Sequence, residues 1–315
     1  MSQNNFLPKL ISHVKVPPIK CQGIKTKLVP FIAENIVWSG KGQWVEPFLG
    51  SGVVAFNIAP ENALLADSNK PIIMLYKCLQ SGEITQKMVR TFLEEHGKIL
   101  EQNGESYYYE MRAQFNESYD PLKILFLNRS CFNGVMRFNS KGKFNVPFCR
   151  KPNRFSPSYI TKIVNQIGWV SKLLMEKSWR IECWDWKKTL NFAKNDDFVY
   201  MDPPYIGRHT DYYNNWTDSE AINLAKTANN LECGFALSMW LKNKYRENEH
   251  IQDHWGNNVI RTISHFYHVG STESLRNEMQ EALVIKKGYE NNQPIVTTPD
   301  ISNINKSLSM YIHEN

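Results

Sequence analysis

The sequence predicts an α/β fold, a mainly parallel sheet with helices packed on it, interrupted by a basic and largely helical insertion. Three observations predict it. Two short apolar runs, at residues 43–46 and 63–67, flank a glycine turn and an apolar helix, which is the spacing of a βαβ unit. A later run, Phe198-Val199-Tyr200-Met201, stops at Asp202-Pro203-Pro204-Tyr205, where two residues without N–H groups end any ladder. Between these, residues 121–175 contain no Asp or Glu but ten Lys and Arg, although the whole chain nets only +6. The rest is therefore slightly acidic, and a basic module set in such a chain is the footprint of a polyanion-binding surface.

In chain order, Pro17 and Pro18 close an N-terminal tail, and residues 19–27 lead into a helix over 28–35 whose apolar positions repeat with helical period. The strand at 43–46 runs into the loop Pro47-Phe48-Leu49-Gly50-Ser51-Gly52, and a helix is expected over 53–59. The second strand ends in Asp67, with a helix over 71–79 behind it. Residues 82–177 change to helical stretches and a hairpin rich in Asn, Arg and Lys. Strand rhythm resumes at Phe198, followed by a helix over 219–231 and strands at 235–240, 259–263 and 282–285. The expected organisation is a discontinuous catalytic domain, residues 1–80 and 178–315, holding a recognition domain at 81–177. The polar tail beyond Lys286 receives no assignment.

Composition narrows the class. The chain has 315 residues, 42% apolar and 22% charged, enough for two domains with a sizeable core and no sign of disorder. No apolar run reaches membrane-spanning length, and the polar start is not a signal peptide. Six scattered cysteines without a CxxC pair suit reduced thiols in a cytoplasm.

Chemistry is expected where strands end, because open α/β sheets bind ligands beyond the carboxyl ends of their strands. Glu46, Gly50 and Gly52 form a turn where backbone can approach a ligand closely. Asp67, at the next strand's end, is placed to accept ribose hydroxyls. No Lys or Arg lies between Glu46 and Asp67 to neutralise a pyrophosphate, so a cationic or zwitterionic adenosine ligand suits the site, and S-adenosylmethionine fits. An ordinary βα turn and a helix cap at Asp67 are the plainer readings. At the third strand, Asp202 and the adjoining carbonyls can accept from an amino group while Tyr205 offers a stacking face, equipment for a planar amine such as a nucleobase. The plainer reading is a strand ending in a Pro-Pro turn.

These motifs together carry a resemblance. Ile19-Lys20-Cys21-Gln22-Gly23-Ile24-Lys25, Glu46-Pro47-Phe48-Leu49-Gly50-Ser51-Gly52, Asp67-Ser68-Asn69, the basic stretch at residues 132–148 and Asp202-Pro203-Pro204-Tyr205 occur in the order of the Dam-type (α class) adenine-N6 DNA methyltransferases. The stretches Val16-Pro17-Pro18-Ile19-Lys20, Leu127-Asn128-Arg129-Ser130-Cys131-Phe132-Asn133 and Ile206-Gly207-Arg208-His209 resemble the modification methyltransferases of the EcoRV type. The chain departs from the Dam pattern at Cys21 and Gln22, where Trp-Ala is usual, and at Ile24, where a glycine is.

The resemblance implies a Rossmann-like, S-adenosylmethionine-dependent methyltransferase sheet with an inserted, mainly helical DNA-recognition domain bearing a β-hairpin. It implies methyl transfer to adenine N6 in a duplex site of GATATC type, in a prokaryotic cytoplasm, by a monomer paired with a restriction endonuclease. Cys21, Lys25, Glu46, Gly50, Gly52, Asp67 and Asp202 would then hold the donor, and Asp202, Pro203 and Tyr205 would act on the base. Phe132, Asn133, Arg137, Asn139, Lys141 and Lys143 would contact DNA, with Arg137 on a guanine edge or, alternatively, a phosphate. Other classes remain in view: a cytosine-N4, RNA or protein-amide methyltransferase, where Ser or Asn usually replaces Asp202, and a silent DNA-binding protein. A metal site built on His250, His254, His265 and His268 lacks the Glu of HExxH and any Cys at zinc spacing, so no metal is expected.

Overall fold

Alternation of apolar side chains between two faces builds the sheet, and helices with one apolar stripe cover both sides. A computed structural model describes residues 5–21, 23, 25–205, 216–242, 247–266 and 278–293, with backbone alone for 265, 266, 278 and 279. The elements in chain order are α1 (Val29–Asn35), β1 (Trp44–Glu46), α2 (Val53–Ile58), β2 (Asn62–Ala66), α3 (Lys70–Ser81), α4 (Gln86–Asn103), α5 (Glu105–Ser118), α6 (Pro121–Ser130), α7 (Pro157–Glu176), β3 (Ser178–Glu182), α8 (Trp186–Leu190), β4 (Phe198–Met201), α9 (Asp218–Asn229), β5 (Gly234–Lys242), α10 (Glu249–Trp255), β6 (Val259–Phe266) and β7 (Glu278–Ile285).

The strands form one seven-stranded sheet in the order β3-β2-β1-β4-β5-β7-β6. β1 to β5 pair in parallel, and β7 runs antiparallel between β5 and β6. Strand order reverses between β1 and β4, so a crevice opens beyond their carboxyl ends. The glycine loop follows β1 and the Asp-Pro-Pro-Tyr segment follows β4. Topology alone therefore brings the two motifs together.

The period of two along each strand splits the core. Trp44, Ala63, Phe198 and Tyr200 face one hydrophobic cluster, while Val45, Leu64, Val199 and Phe235 face the other. On the first face Trp44 stacks on Phe198 at 5.5 Å and on Tyr200 at 6.0 Å. The second face is covered by α8, α9 and α10 through Trp186, Leu224 and Trp255. Each such fully buried side chain contributes about 1.5–3 kcal/mol.

Helix starts follow local chemistry. Asn69 caps α3 by accepting from the Ile72 amide, Thr85 caps α4, and Asp120 caps α6 ahead of Pro121. Helices α4 to α7 bury Leu93, Phe115, Phe126 and Ile167 in the same contiguous cluster as α1 to α3. The expected hairpin is held by two isolated antiparallel bridges, Cys131–Phe148 and Phe138–Phe144, without a continuous ladder. β3, α8 and α10 were not foreseen as elements, and β6 and β7 extend further than the expected strands. The result is a mixed α/β, Rossmann-like fold. No helix among the described residues is long and apolar enough to cross a membrane.

Candidate active site

Gly50 and Gly52 sit at φ +50° and +72°, a left-handed backbone that L side chains rarely adopt. A Cβ on Gly52 would also lie 2.5 Å from the Phe56 ring. Asp67 holds this turn from the neighbouring strand end. One of its carboxylate oxygens accepts the Gly50 amide and the other the Asn69 amide, each at 2.8 Å. Burial pushes the Asp67 carboxyl up, and these two amides pull it back. The helix cap is Asn69, so Asp67 is not a cap but the clamp between glycine turn and second strand. Glu46 is 2% exposed and accepts from Trp44 Nε1 at 2.7 Å. Burial pushes its carboxyl up to about 8.

Asp202 leaves β4 at the crevice. Lys25 Nζ lies 3.0 Å from its Oδ1, and Ser238 Oγ, held by Tyr200 at 2.8 Å, donates to the same oxygen at 3.3 Å. Burial raises the Asp202 carboxyl, against the pull of Lys25. Lys25 also donates to the Tyr205 hydroxyl at 2.8 Å and to the Gly23 carbonyl at 3.1 Å. Burial works against the Lys25 charge, but Asp202, Tyr205 and Glu281 outweigh it and hold the ammonium well above its usual range. Tyr205 completes the group by donating to both oxygens of Glu281, at 3.0 and 3.1 Å.

One cavity of about 420 Å³ spans these motifs. Its wall includes Cys21, Lys25, Glu46, Gly50, Asp67 and Asp202, and its rim includes Met136, Arg137 and Phe138 of the hairpin. Five acidic side chains line it against three basic ones, and even with Glu46 holding a proton the acids are in excess, which disfavours a pyrophosphate and favours a ligand carrying positive charge. Phe48 and Trp216 meet edge to face at 5.6 Å on the far side, next to Trp186. Trp216 Nε1 is buried with no hydrogen-bond partner among the described residues. The aromatic side chains of this lining fit a planar ring, and the acids fit hydroxyl groups and positive charge.

The hairpin is pinned to α5 and α6. Asn116 exchanges two bonds with the Phe144 backbone, at 2.7 and 3.0 Å, and the Tyr108 hydroxyl donates to the Val146 carbonyl at 2.7 Å. Asn128 Oδ1 accepts the Lys20 amide at 2.9 Å, and its Nδ2 donates to the carbonyls of Lys20 and Gly134. The Lys20 segment and the hairpin are thus joined through one buried side chain.

A family profile described as the D12 class of N6 adenine-specific DNA methyltransferases matches residues 22–275. The chain belongs to this class. It is 30% identical over 255 residues to the type II methyltransferase M.MjaIII of Methanocaldococcus jannaschii, covering 73% of this chain and 84% of that one. It is 34% identical over 196 residues to a DNA adenine methylase of Haemophilus influenzae, covering 60% and 63%. To type II methyltransferase M.FokI of Planomicrobium okeanokoites it is 28% identical over 293 residues, 88% of this chain but 43% of that longer one.

In this D12-class methyltransferase the residues singled out from sequence are not all at the cavity. Gly52, at the start of α2, Pro203 and Tyr205 do not line it, and Pro203 is buried. Phe132, Asn133 and Lys141 are exposed on the hairpin. Asn139 and Lys143 are instead folded into it: Asn139 Oδ1 accepts the amides of Lys141 and Lys143, and Lys143 Nζ donates to the Asn116 carbonyl. Arg137 Nε is held by Asn145 at 3.2 Å. Sequence reasoning passed over Glu281, Ser238 and Trp216. The available signal was a lone polar residue in or beside an apolar strand, as Ser238 and Glu281 are. Gln22, Ile24, His268, the side chain of His265 and the segment 206–209 lie outside the described residues. Among those described, no group of three or more His, Cys, Asp or Glu could hold a metal.

Proposed function

We propose that this D12-class enzyme transfers a methyl group from S-adenosylmethionine to the N6 amino group of an adenine in a duplex site of GATATC type. The modification would protect that site from a restriction endonuclease of the same specificity. The observation that carries the reading is one cavity whose lining includes Gly50 of the glycine turn, Asp67, Asp202 and, from the hairpin, Arg137. The GATATC element rests on the EcoRV-type resemblance of residues 16–20 and 127–133. The names of the relatives as type II methyltransferases support the restriction–modification setting. Residues 81–177 act as the recognition unit, and the protein works as a monomer in a prokaryotic cytoplasm.

When bound, S-adenosylmethionine supplies a transferable methyl group on a sulfonium centre. Asp67 takes the ribose hydroxyls with the lone pairs its two amide bonds leave free. Glu46 lies within reach of positive charge, and Phe48 and Trp216 take the adenine ring of the donor. The target adenine must leave the stack to reach Asp202. Its amino lone pair is delocalised into the ring. Asp202 and the Pro203 carbonyl accept the two N–H groups and so localise that pair, while Tyr205 holds the extruded base. Catalysis is orientation and electrostatics.

The test is methyl transfer from labelled S-adenosylmethionine to duplexes carrying GATATC, GATC or neither, with the product base identified. Label in N6-methyladenine on GATATC alone is expected. Label on GATC as well moves the specificity towards the Dam pattern, and no label on any duplex overturns the reading. Asp202→Ala should abolish transfer while leaving DNA binding measurable.

A further inference from the structure

Asp202 Oδ1 is engaged by Lys25 at 3.0 Å and by Ser238 at 3.3 Å. The target amine needs that carboxylate as an acceptor, and an ammonium at salt-bridge distance withdraws the negative charge that makes it a good one. Lys25 must therefore have somewhere else to place its charge. It is 3% exposed, so water is not the alternative, and an unpaired buried ammonium is costly.

Glu281 supplies the alternative. It projects from β7, is 1% exposed, and its Oε2 already lies 3.9 Å from Lys25 Nζ. Its two oxygens accept the Tyr205 hydroxyl, which in turn accepts from Lys25 at 2.8 Å. An acid in the interior of a sheet is expensive unless it is paired, and Tyr205 and Lys25, both at the reacting segment, are among the partners of Glu281. We infer that Glu281 is a positioning residue for methyl transfer, a second berth that takes the Lys25 ammonium off Asp202 as the target amine arrives and that fixes Tyr205 through its hydroxyl. This rests on the role proposed for Asp202. The charges are consistent with it. Two carboxylates lie within 4 Å of the Lys25 ammonium, at 3.0 and 3.9 Å, so Glu281 still pairs Lys25 after Asp202 is handed to the base.

The experiment measures methylation of unmethylated bacteriophage DNA by the full chain, with N6-methyladenine quantified, for wild type, Glu281→Gln, Lys25→Met and the double variant. Binding of S-adenosylmethionine is measured separately by calorimetry. The Gln side chain keeps the shape and the acceptor but loses the charge. Expected is a kcat at least tenfold lower for Glu281→Gln, with KM for DNA and Kd for the donor within threefold of wild type. In the Lys25→Met background, where no ammonium needs a berth, the same change should cost less than threefold, a coupling that mere structural damage would not produce. A kcat loss below tenfold, an equal loss in the Lys25→Met background, or a donor Kd weakened tenfold would each overturn the assignment. Wild-type protein without N6-methyladenine product would instead bring down the functional reading and this inference with it. Should Glu281→Gln fail to fold, Glu281→Asp decides. Its shortened carboxylate should lower kcat at least tenfold at unchanged KM, and a smaller loss overturns the proposal.

Discussion

Glu46 shows at the scale of one residue how burial writes a pH dependence into the site. Its carboxyl is pushed up to about 8, so it holds a proton at neutral pH. The folded protein binds that proton more tightly than the unfolded chain does. The stability this brings is full below about 4.5 and is lost as pH rises through about 8. Donor binding should run the other way. A cation beside Glu46 favours the carboxylate and expels the proton, so donor affinity should climb with pH by up to about tenfold per unit and level off above 8. Calorimetry in two buffers of different ionisation enthalpy reads the released proton directly. Glu46→Gln should flatten both the profile and the buffer difference, and a flat wild-type profile would refute the role. Glu46 and Asp202 were legible in the sequence because prolines follow them, and Asp67 because it ends the strand after the glycine turn. Glu281 was not. Its place at the site depends on the antiparallel register that sets it opposite Trp240 of β5 and Ile263 of β6, and nothing local in the sequence encodes a register.

At the scale of elements, packing partners decide what a motif does. The stretch at 127–133 was read as part of a family likeness, but the structure gives Asn128 a mechanical task between α6, the Lys20 segment and the hairpin. It is 6% exposed, so Asn128→Ala strips partners from buried backbone groups. The expected loss is about 1–3 kcal/mol in urea unfolding, together with weaker binding of both donor and DNA. Loss of stability with both affinities intact would show that the clamp is confined to the fold. β3 went unforeseen although Ser178-Trp179-Arg180-Ile181-Glu182 alternates exposed and buried as a strand should. It directly follows the 20-residue helix α7, and five residues carry too little periodicity to stand out from such a neighbour. The hairpin was legible from its glycines and asparagines. Its want of a ladder was not, because α5 side chains satisfy backbone groups that a partner strand would otherwise take.

For the whole molecule, charge and topology act together. Reversal of strand order between β1 and β4 opens the crevice beyond their carboxyl ends, and the hairpin brings Arg137 to the cavity there. The ten basic residues of 121–175 nevertheless overstate the surface. Arg129 and Arg154 exchange bonds with each other's carbonyls at 3.1 Å, Lys143 is tied to Asn116, and Lys172 pairs with Glu176. Lys141, Arg150, Lys151 and Lys162 remain exposed. About four phosphate contacts from these residues give a slope of roughly −3 to −4 for log affinity against log salt, since each contact contributes about −0.9. Lys141→Ala should flatten the slope by about 0.9 and weaken all duplexes alike. Arg137→Ala should leave the slope nearly unchanged yet lose about 1–3 kcal/mol of discrimination at one base pair, if its fork reads a guanine edge. Equal weakening of every duplex by Arg137→Ala, with a flatter slope, would make it a phosphate contact. A wild-type slope of roughly −6 would mean that the internal bonds of Arg129, Arg154 and Lys143 open on DNA, adding about three contacts of about −0.9 each, and that residues 121–175 rearrange to bind.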